Sequence, residues 1–164
     1  MDRRALTHYS ATPLGPLKSA TQTPEDGRGW QFIDKPKGLW VSVDGEDDWL
    51  NWCIGTGFRL GDLAVHHRLT LKEPDRLLWL TGRPQLEQFQ TRYGAPRDYG
   101  MRLDMRAINW ASVASDYAGL IITPYVWSGR HKLMWYYGWD CASGCIWDVS
   151  VIESVQIVEA AAHD

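Results

Sequence analysis

No stretch of the 164 residues approaches the roughly 20 consecutive apolar residues that a membrane-spanning helix needs, so none is expected and no membrane partner with it. The first ten residues, Met1 to Ser10, lack the apolar core of a secretory signal, which points to a chain made and kept in the cytoplasm. Cysteine is scarce. Cys53, Cys141 and Cys145 form an odd set, and a Cys-x3-Cys pair without a second ligand pair is a poor zinc signature, so reduced buried thiols and no metal are expected. Excess positive charge is also missing: the net charge is −3, and no general field draws the protein to nucleic acid. A local basic patch stays open through Arg3, Arg4, Arg28, Lys35 and Lys37. The chain has neither an internal repeat nor a low-complexity tract.

What is there suits one folded domain. Hydrophobic residues make up 45% and charged residues 23%, ordinary values that argue against a disordered chain, and the length allows a core that can hold a concave pocket. Ten tryptophans are the unusual feature. Such a side chain fills a core, lines a pocket or forms a contact surface, and its position has to say which.

Residues 11–35 carry Pro13, Pro16, Pro24, Gly15, Gly27 and Gly29 and read as one long irregular connection, able to serve as a lid. Strand signals follow at Gly38–Val43, Leu60–Leu71, Arg76–Leu80, Gly119–Thr123, Lys132–Gly138, Gly144–Trp147 and Ser154–Val158. The two runs on either side of Glu73-Pro74-Asp75 suit neighbouring antiparallel strands. Three helices are expected. Asp47 and Asp48 start one that carries Trp49, Leu50, Trp52 and Cys53 and stops before Gly55. Pro84 opens a second, with Leu86, Phe89 and Tyr93 on one face and Gly94 at its end. Asn109 caps a third, with Trp110, Val113, Ala114 and Tyr117 in a stripe. The order of elements indicates an α+β fold in a single domain spanning residues 1–164.

Three places could carry chemistry. His8 alternates with Leu6 and Ser10 on one strand face, where a partly desolvated imidazole needs partners, either ligand hydroxyls or a backbone carbonyl in the core. In Gly38-Leu39-Trp40-Val41-Ser42, a glycine lets the backbone pass close to a ligand, and Trp40 could present a flat face to a planar ring while Leu39 and Val41 point to the core. The alternative is a plain strand with a structural Trp, and for Trp49 and Trp52, which could form a second aromatic wall, core packing is the default. Asp140 lies between bulky aromatics and the small residues Ser143 and Gly144, before a strand, from where an acid can reach into a cleft. Asp148, in an apparent turn, and Glu153, on a solvent-facing strand start, are the rival acids.

These residues resemble the ADP-ribosyltransferase superfamily, on the branch of diphtheria-type toxins and poly-ADP-ribose polymerases. Thr7-His8-Tyr9-Ser10 is similar to that branch's first strand. Gly38-Leu39-Trp40-Val41-Ser42 is similar to its second, with Trp for the usual Tyr. Trp52, or Trp49, stands where a further aromatic follows in a short helix. Leu77–Leu80 followed by Leu86, Phe89 and Tyr93 fits the next elements, and Tyr117-Ala118-Gly119-Leu120-Ile121-Ile122 resembles a Tyr-Asp-Gly-apolar strand with Ala118 for Asp. The departure is in the last motif, where Ser143 and Gly144 stand in place of the usual Glu before Cys145-Ile146-Trp147-Asp148.

The resemblance implies two small packed antiparallel sheets with peripheral helices and NAD in a central cleft. His8 would lie on the adenosine-side ribose, with Tyr9 among the cofactor-binding residues, the backbone at Gly38 would hold the nicotinamide amide, and Trp40 with Trp52 or Trp49 would clamp the ring. Ser42 would bond the ribose or merely close the strand turn. Cleavage of the nicotinamide–ribose bond passes through an oxocarbenium-like state. Asp140 would stabilise it through the ribose 2′-hydroxyl, with Ser143 orienting the acid or replacing part of its hydrogen bonding. The implied activity is NAD-dependent mono-ADP-ribosyl transfer by a monomer to a protein or nucleic-acid acceptor, in a toxin, an effector or a phage factor. A nucleotide-binding module without turnover and a Trp-rich interaction domain are the alternatives.

Overall fold

The computed structural model describes residues 5–23, 35–96 and 106–158. Arg3, Arg4, Arg28 and residues 24–34 of the expected lid lie outside these. The elements run β1 (Leu6–Ser10), β2 (Leu39–Val43), α1 (Trp49–Thr56), β3 (Val65–Leu71), β4 (Leu77–Leu80), α2 (Arg83–Tyr93), β5 (Gly94–Pro96), β6 (Arg106–Ile108), α3 (Trp110–Asp116), β7 (Gly119–Ile122), α4 (Trp127–Arg130), β8 (Ser143–Ile146) and β9 (Ile152–Val158), with short 3-10 turns between some of them. The fold is α+β. Seven strands form one mixed sheet in the order β4-β7-β8-β2-β1-β3-β9, and β5 with β6 makes a small ribbon. The expected pair of antiparallel sheets is therefore not what the backbone forms. The main sheet is single, and β4 runs parallel to β7.

That sheet is nearly divided. β1 pairs with β3 over five residues but with β2 over only two, Leu6 with Val43 and Thr7 with Ser42. Beyond Thr7 the two central strands part. The sheet also cannot be flat. The connection from Leu71 to Leu77 reaches about 21 Å at most, while five strand spacings between β3 and β4 would need about 24 Å. β3 and β4, expected to be neighbours, instead lie five positions apart in the strand order because β3 is taken up by β1 and β9 on its two edges.

Helix α1 follows its sequence signals. The Asp48 carboxylate accepts from the Asn51 amide at 2.8 Å, and Gly57 at φ 71° supplies the left-handed cap, two residues later than expected. Helix α2 buries Leu86, Phe89 and Tyr93, and α3, capped by the Asn109 side chain, buries Trp110 and Val113. Two expected strands differ. Residues 60–63 form a 3-10 turn before β3, and the stretch 132–138 is no strand: it follows α4 and holds a 3-10 turn at Met134–Tyr136. Leu133, Trp135 and Tyr136 are all buried, a non-alternating pattern that a half-buried strand cannot supply. The core is one cluster, in which Phe89, Trp110, Trp135, Tyr136, Trp139 and Trp147 pack with Val41, Leu120, Ile121, Ile122 and Ile146.

Candidate functional site

Where β1 leaves β2, a cleft of about 380 Å³ opens. The register decides which side chains face it. Thr7 sits opposite Ser42 and Ser42 opposite Ser143, so Thr7, Tyr9, Trp40, Ser42 and Ser143 share one face of the sheet. All five line the cleft, with Lys35, Trp49, Arg59, Asp62, Trp139, Asp140 and Cys141 around them.

His8 reaches the same cleft by another route. It alternates with Leu6 on the core face, but the ladder to β2 has already ended at Thr7. Its Nδ1 lies 2.7 Å from the Trp40 carbonyl, in the gap that backbone pairing leaves open. A carbonyl can only accept, so Nδ1 carries the proton and the neutral ring keeps Nε2 as an acceptor. Burial lowers the His8 pKa, opposed by the bond to Trp40 and helped by nearby His67, which favours that neutral form. The expected carbonyl partner is thus present on one nitrogen. The other remains for a ligand that donates.

The remaining polar groups are fixed by their neighbours. His67 is buried, its Nε2 accepts from the Leu14 amide at 3.1 Å, and its Nδ1 lies 3.3 Å from the His8 carbonyl, so it ties the start of the long connection to β3. Thr7 donates to Asp44 at 2.8 Å, and Asp44 pairs with Arg68 at 2.9 Å. Burial raises the Tyr9 pKa, and its ring meets His66 edge-on at 4.7 Å. The Ser42 oxygen accepts from the Trp49 amide at 2.9 Å, which anchors the first turn of α1 beside the cleft. Ser143 donates to the Cys141 carbonyl at 3.1 Å, so its hydroxyl proton is not spent on Asp140.

Asp140 is held from behind. Its Oδ1 lies 3.0 Å from Arg130 Nη1, which also donates to the Tyr125 hydroxyl at 2.9 Å. Tyr125 in turn donates to the Trp139 carbonyl at 2.7 Å. The carboxylate is thereby oriented by a partly buried clamp while it borders the cleft. Next to it Trp139, 1% exposed, touches Trp110, Trp135 and Tyr136 on the core side and Trp40 at 5.1 Å on the cleft side. The buried indole N–H of Trp139 has no hydrogen-bond partner among the described residues. A ligand acceptor in the cleft is one way to satisfy such a group.

Two candidates lie outside the cleft. Trp52 stacks on Trp49 at 5.2 Å and meets Phe58 at 5.4 Å on the outer side of α1, so only Trp49 of that pair lines the cavity. Gly38, at φ 152°, does permit a close approach, but to β8: a Cβ there would lie 2.5 Å from the Ile146 carbonyl oxygen and 2.9 Å from the Cys145 sulfur. Of the rival acids, Asp148 caps a 3-10 turn and pairs with Arg76 at 2.6 Å, and its pKa is lowered first by the bond from Ser150. Glu153 is exposed on β9. Neither borders the cleft.

Thr7, Arg59, Asp62 and Cys141 also line the cleft, and no sequence motif marks them. Thr7 was legible in principle, since it shares a strand face with Tyr9. Arg59 and Asp62 depend on where α1 and the turn after it dock, and Cys141 follows Asp140 into the cleft just before β8. All three cysteines are free and buried, and burial pushes the Cys141 thiol up to about 12, which makes it a poor nucleophile. Among the described residues no group of three ligating side chains could hold a metal ion, and no helix is long and apolar enough to cross a membrane. No family model, no curated protein and no solved structure matches the chain.

Proposed function

We propose that the cleft between β1 and β2 binds NAD as substrate and that the chain transfers ADP-ribose from it to a macromolecular acceptor. The observation that carries this reading is that His8, Trp40 and Asp140, from three separate parts of the sequence, line one cavity of about 380 Å³. That volume lies within the roughly 300–1,000 Å³ of ordinary small-molecule sites. The chemistry of the lining fits the parts of the dinucleotide. Trp40, half-buried and backed by Trp139, offers aromatic surface to the pyridinium, whose positive charge suits the negative face of an indole. His8 offers Nε2 as an acceptor for a ribose hydroxyl. Ser42, whose oxygen accepts from Trp49, keeps its own proton to donate.

Asp140 is the group placed to act on the reacting sugar. Breaking the nicotinamide–ribose bond leaves positive charge on the ribose, and nicotinamide departs with the bonding electron pair. A carboxylate hydrogen-bonded to the 2′-hydroxyl stabilises that charge as it develops, and the Arg130 clamp fixes the carboxylate before the substrate arrives. Cys141 and Ser143 fill the floor beside it.

Incubation with NAD, followed by chromatography of free nicotinamide, tests the reading. Asp140→Ala should slow nicotinamide release by about 10²–10³-fold, the equivalent of about 2.7–4 kcal/mol in the barrier. Unchanged release would take Asp140 out of the reaction. Saturable NAD binding without release would leave a nucleotide-binding module. Labelled NAD in a cell lysate then shows whether protein or nucleic acid takes up the label.

A further inference from the structure

The aromatic surface of the cleft is already covered by a cation. Lys35 is an exposed residue as a whole, yet its ammonium is turned inward, 5.0 Å from the centroid of the Trp40 ring and 5.7 Å from that of Trp139. The two rings meet at 5.1 Å with an angle of 58° between their planes, so together they form an angled pair of faces. Burial lowers the Lys35 pKa, and nearby Asp140 opposes that shift. A lysine on an exposed backbone has water available as an alternative. An ammonium that gives up hydration to lie over two indoles marks those faces as a place where positive charge is held.

The backbone beyond Lys35 is anchored independently of the Lys35 side chain. Pro36 is buried, and its carbonyl lies 3.7 Å from the Cys145 sulfur. The Lys37 carbonyl and amide both bond to the Gln22 side chain, at 2.6 and 3.0 Å. The four-carbon stem can therefore swing out of the cleft without any movement of β2. A planar cationic ring entering the same place needs the faces that the ammonium now covers.

We propose that Lys35 is a built-in competitor, whose ammonium holds the place of a planar aromatic cation and must be displaced by it. On the reading given above, which this inference rests on, that cation is the pyridinium ring of NAD. The site would then have its empty state protected by its own chain, at a cost in affinity for the ligand.

Calorimetric titration with NAD of the wild-type protein, Lys35→Met and Lys35→Arg tests this. Lys35→Met should bind about two- to fivefold more tightly, the factor that corresponds to one displaced cation–π contact at a partly open site. Lys35→Arg, which keeps the cation, should bind as the wild type does. Equal affinity in Lys35→Met would overturn the proposal. Weaker binding would also overturn it, since Lys35 would then be holding the phosphates. A second titration uses N1-methylnicotinamide and neutral nicotinamide. The gain in Lys35→Met should be larger with the cation, which the ammonium both displaces from the faces and repels, than with the neutral ring. If that gain appears but NAD binds to none of the proteins, the dinucleotide reading fails and the cation site stands. If NAD binds and the cation shows no gain, the competitor role fails alone.

Discussion

On one side of the cleft Trp110, Trp135, Tyr136 and Trp139 are buried among one another and against Phe89, with ring separations of 5.1 to 6.3 Å. On the other, Trp49 and Trp52 stack on one helix of eight residues with Phe58, which is 47% exposed. The same residue type does different work in the two places. The first cluster fills the space between α2, α3 and the sheet, where removal of a ring leaves a hole. The second sits on a short helix whose only buried residue is Cys53, and it shapes the rim of the cavity. Trp139 and Trp40 join the two regions, because Trp139 is packed like the core and still faces the cleft. A wall of that kind cannot give way when a ligand presses on it, which is what pre-organisation of a binding site requires.

Truncation separates the two clusters most sharply. Trp135→Ala should cost about 3–5 kcal/mol of stability in chemical denaturation, because a nearly inaccessible indole leaves a cavity. Trp52→Ala should cost no more than about 1 kcal/mol, since one stacked pair and one edge contact are lost at a partly open site. A Trp52 variant that unfolds as readily as the Trp135 variant would erase the distinction between rim and core. The smallest effect concerns pH. The His8 pKa is lowered in the folded protein from its ordinary 6.5, so on acidification the unfolded chain takes up a proton first. Stability from this group is fully present above about pH 6.5 and is lost as pH falls from there through the lowered folded value. His8→Asn should flatten that part of the profile of Tm against pH. An unaltered slope would show that another group carries it.

The secondary structure was legible where one local signal decided it. Asp48, Pro84, Asn109 and Gly94 mark helix ends that the structure places within one residue, and α1 stops two residues later than expected. The stretch 132–138 misled because its aromatics favour strands in isolation. Burial against the core overrode that preference, with Leu133, Trp135 and Tyr136 all inside. Strand pairing was not legible between β3 and β4, since five residues of turn chemistry suggest a hairpin and say nothing of edges already occupied. For the cleft, the strand motifs around His8 and Trp40 could be read locally, as could the acid at Asp140. Their meeting depends on the ladder between β1 and β2 stopping after Thr7, a tertiary event without a sequence mark. Trp49 and Trp52 show the limit most plainly, because three positions along one helix separate a cleft residue from a rim residue, and only docking of α1 through the Ser42 hydroxyl assigns them.

The most direct test is a structure of the protein determined with NAD at saturating concentration. The pyridinium should lie against Trp40 with the Lys35 side chain displaced, and the attached ribose within hydrogen-bonding distance of Asp140. A dinucleotide seated away from the gap between β1 and β2, or none bound at all, would contradict that placement.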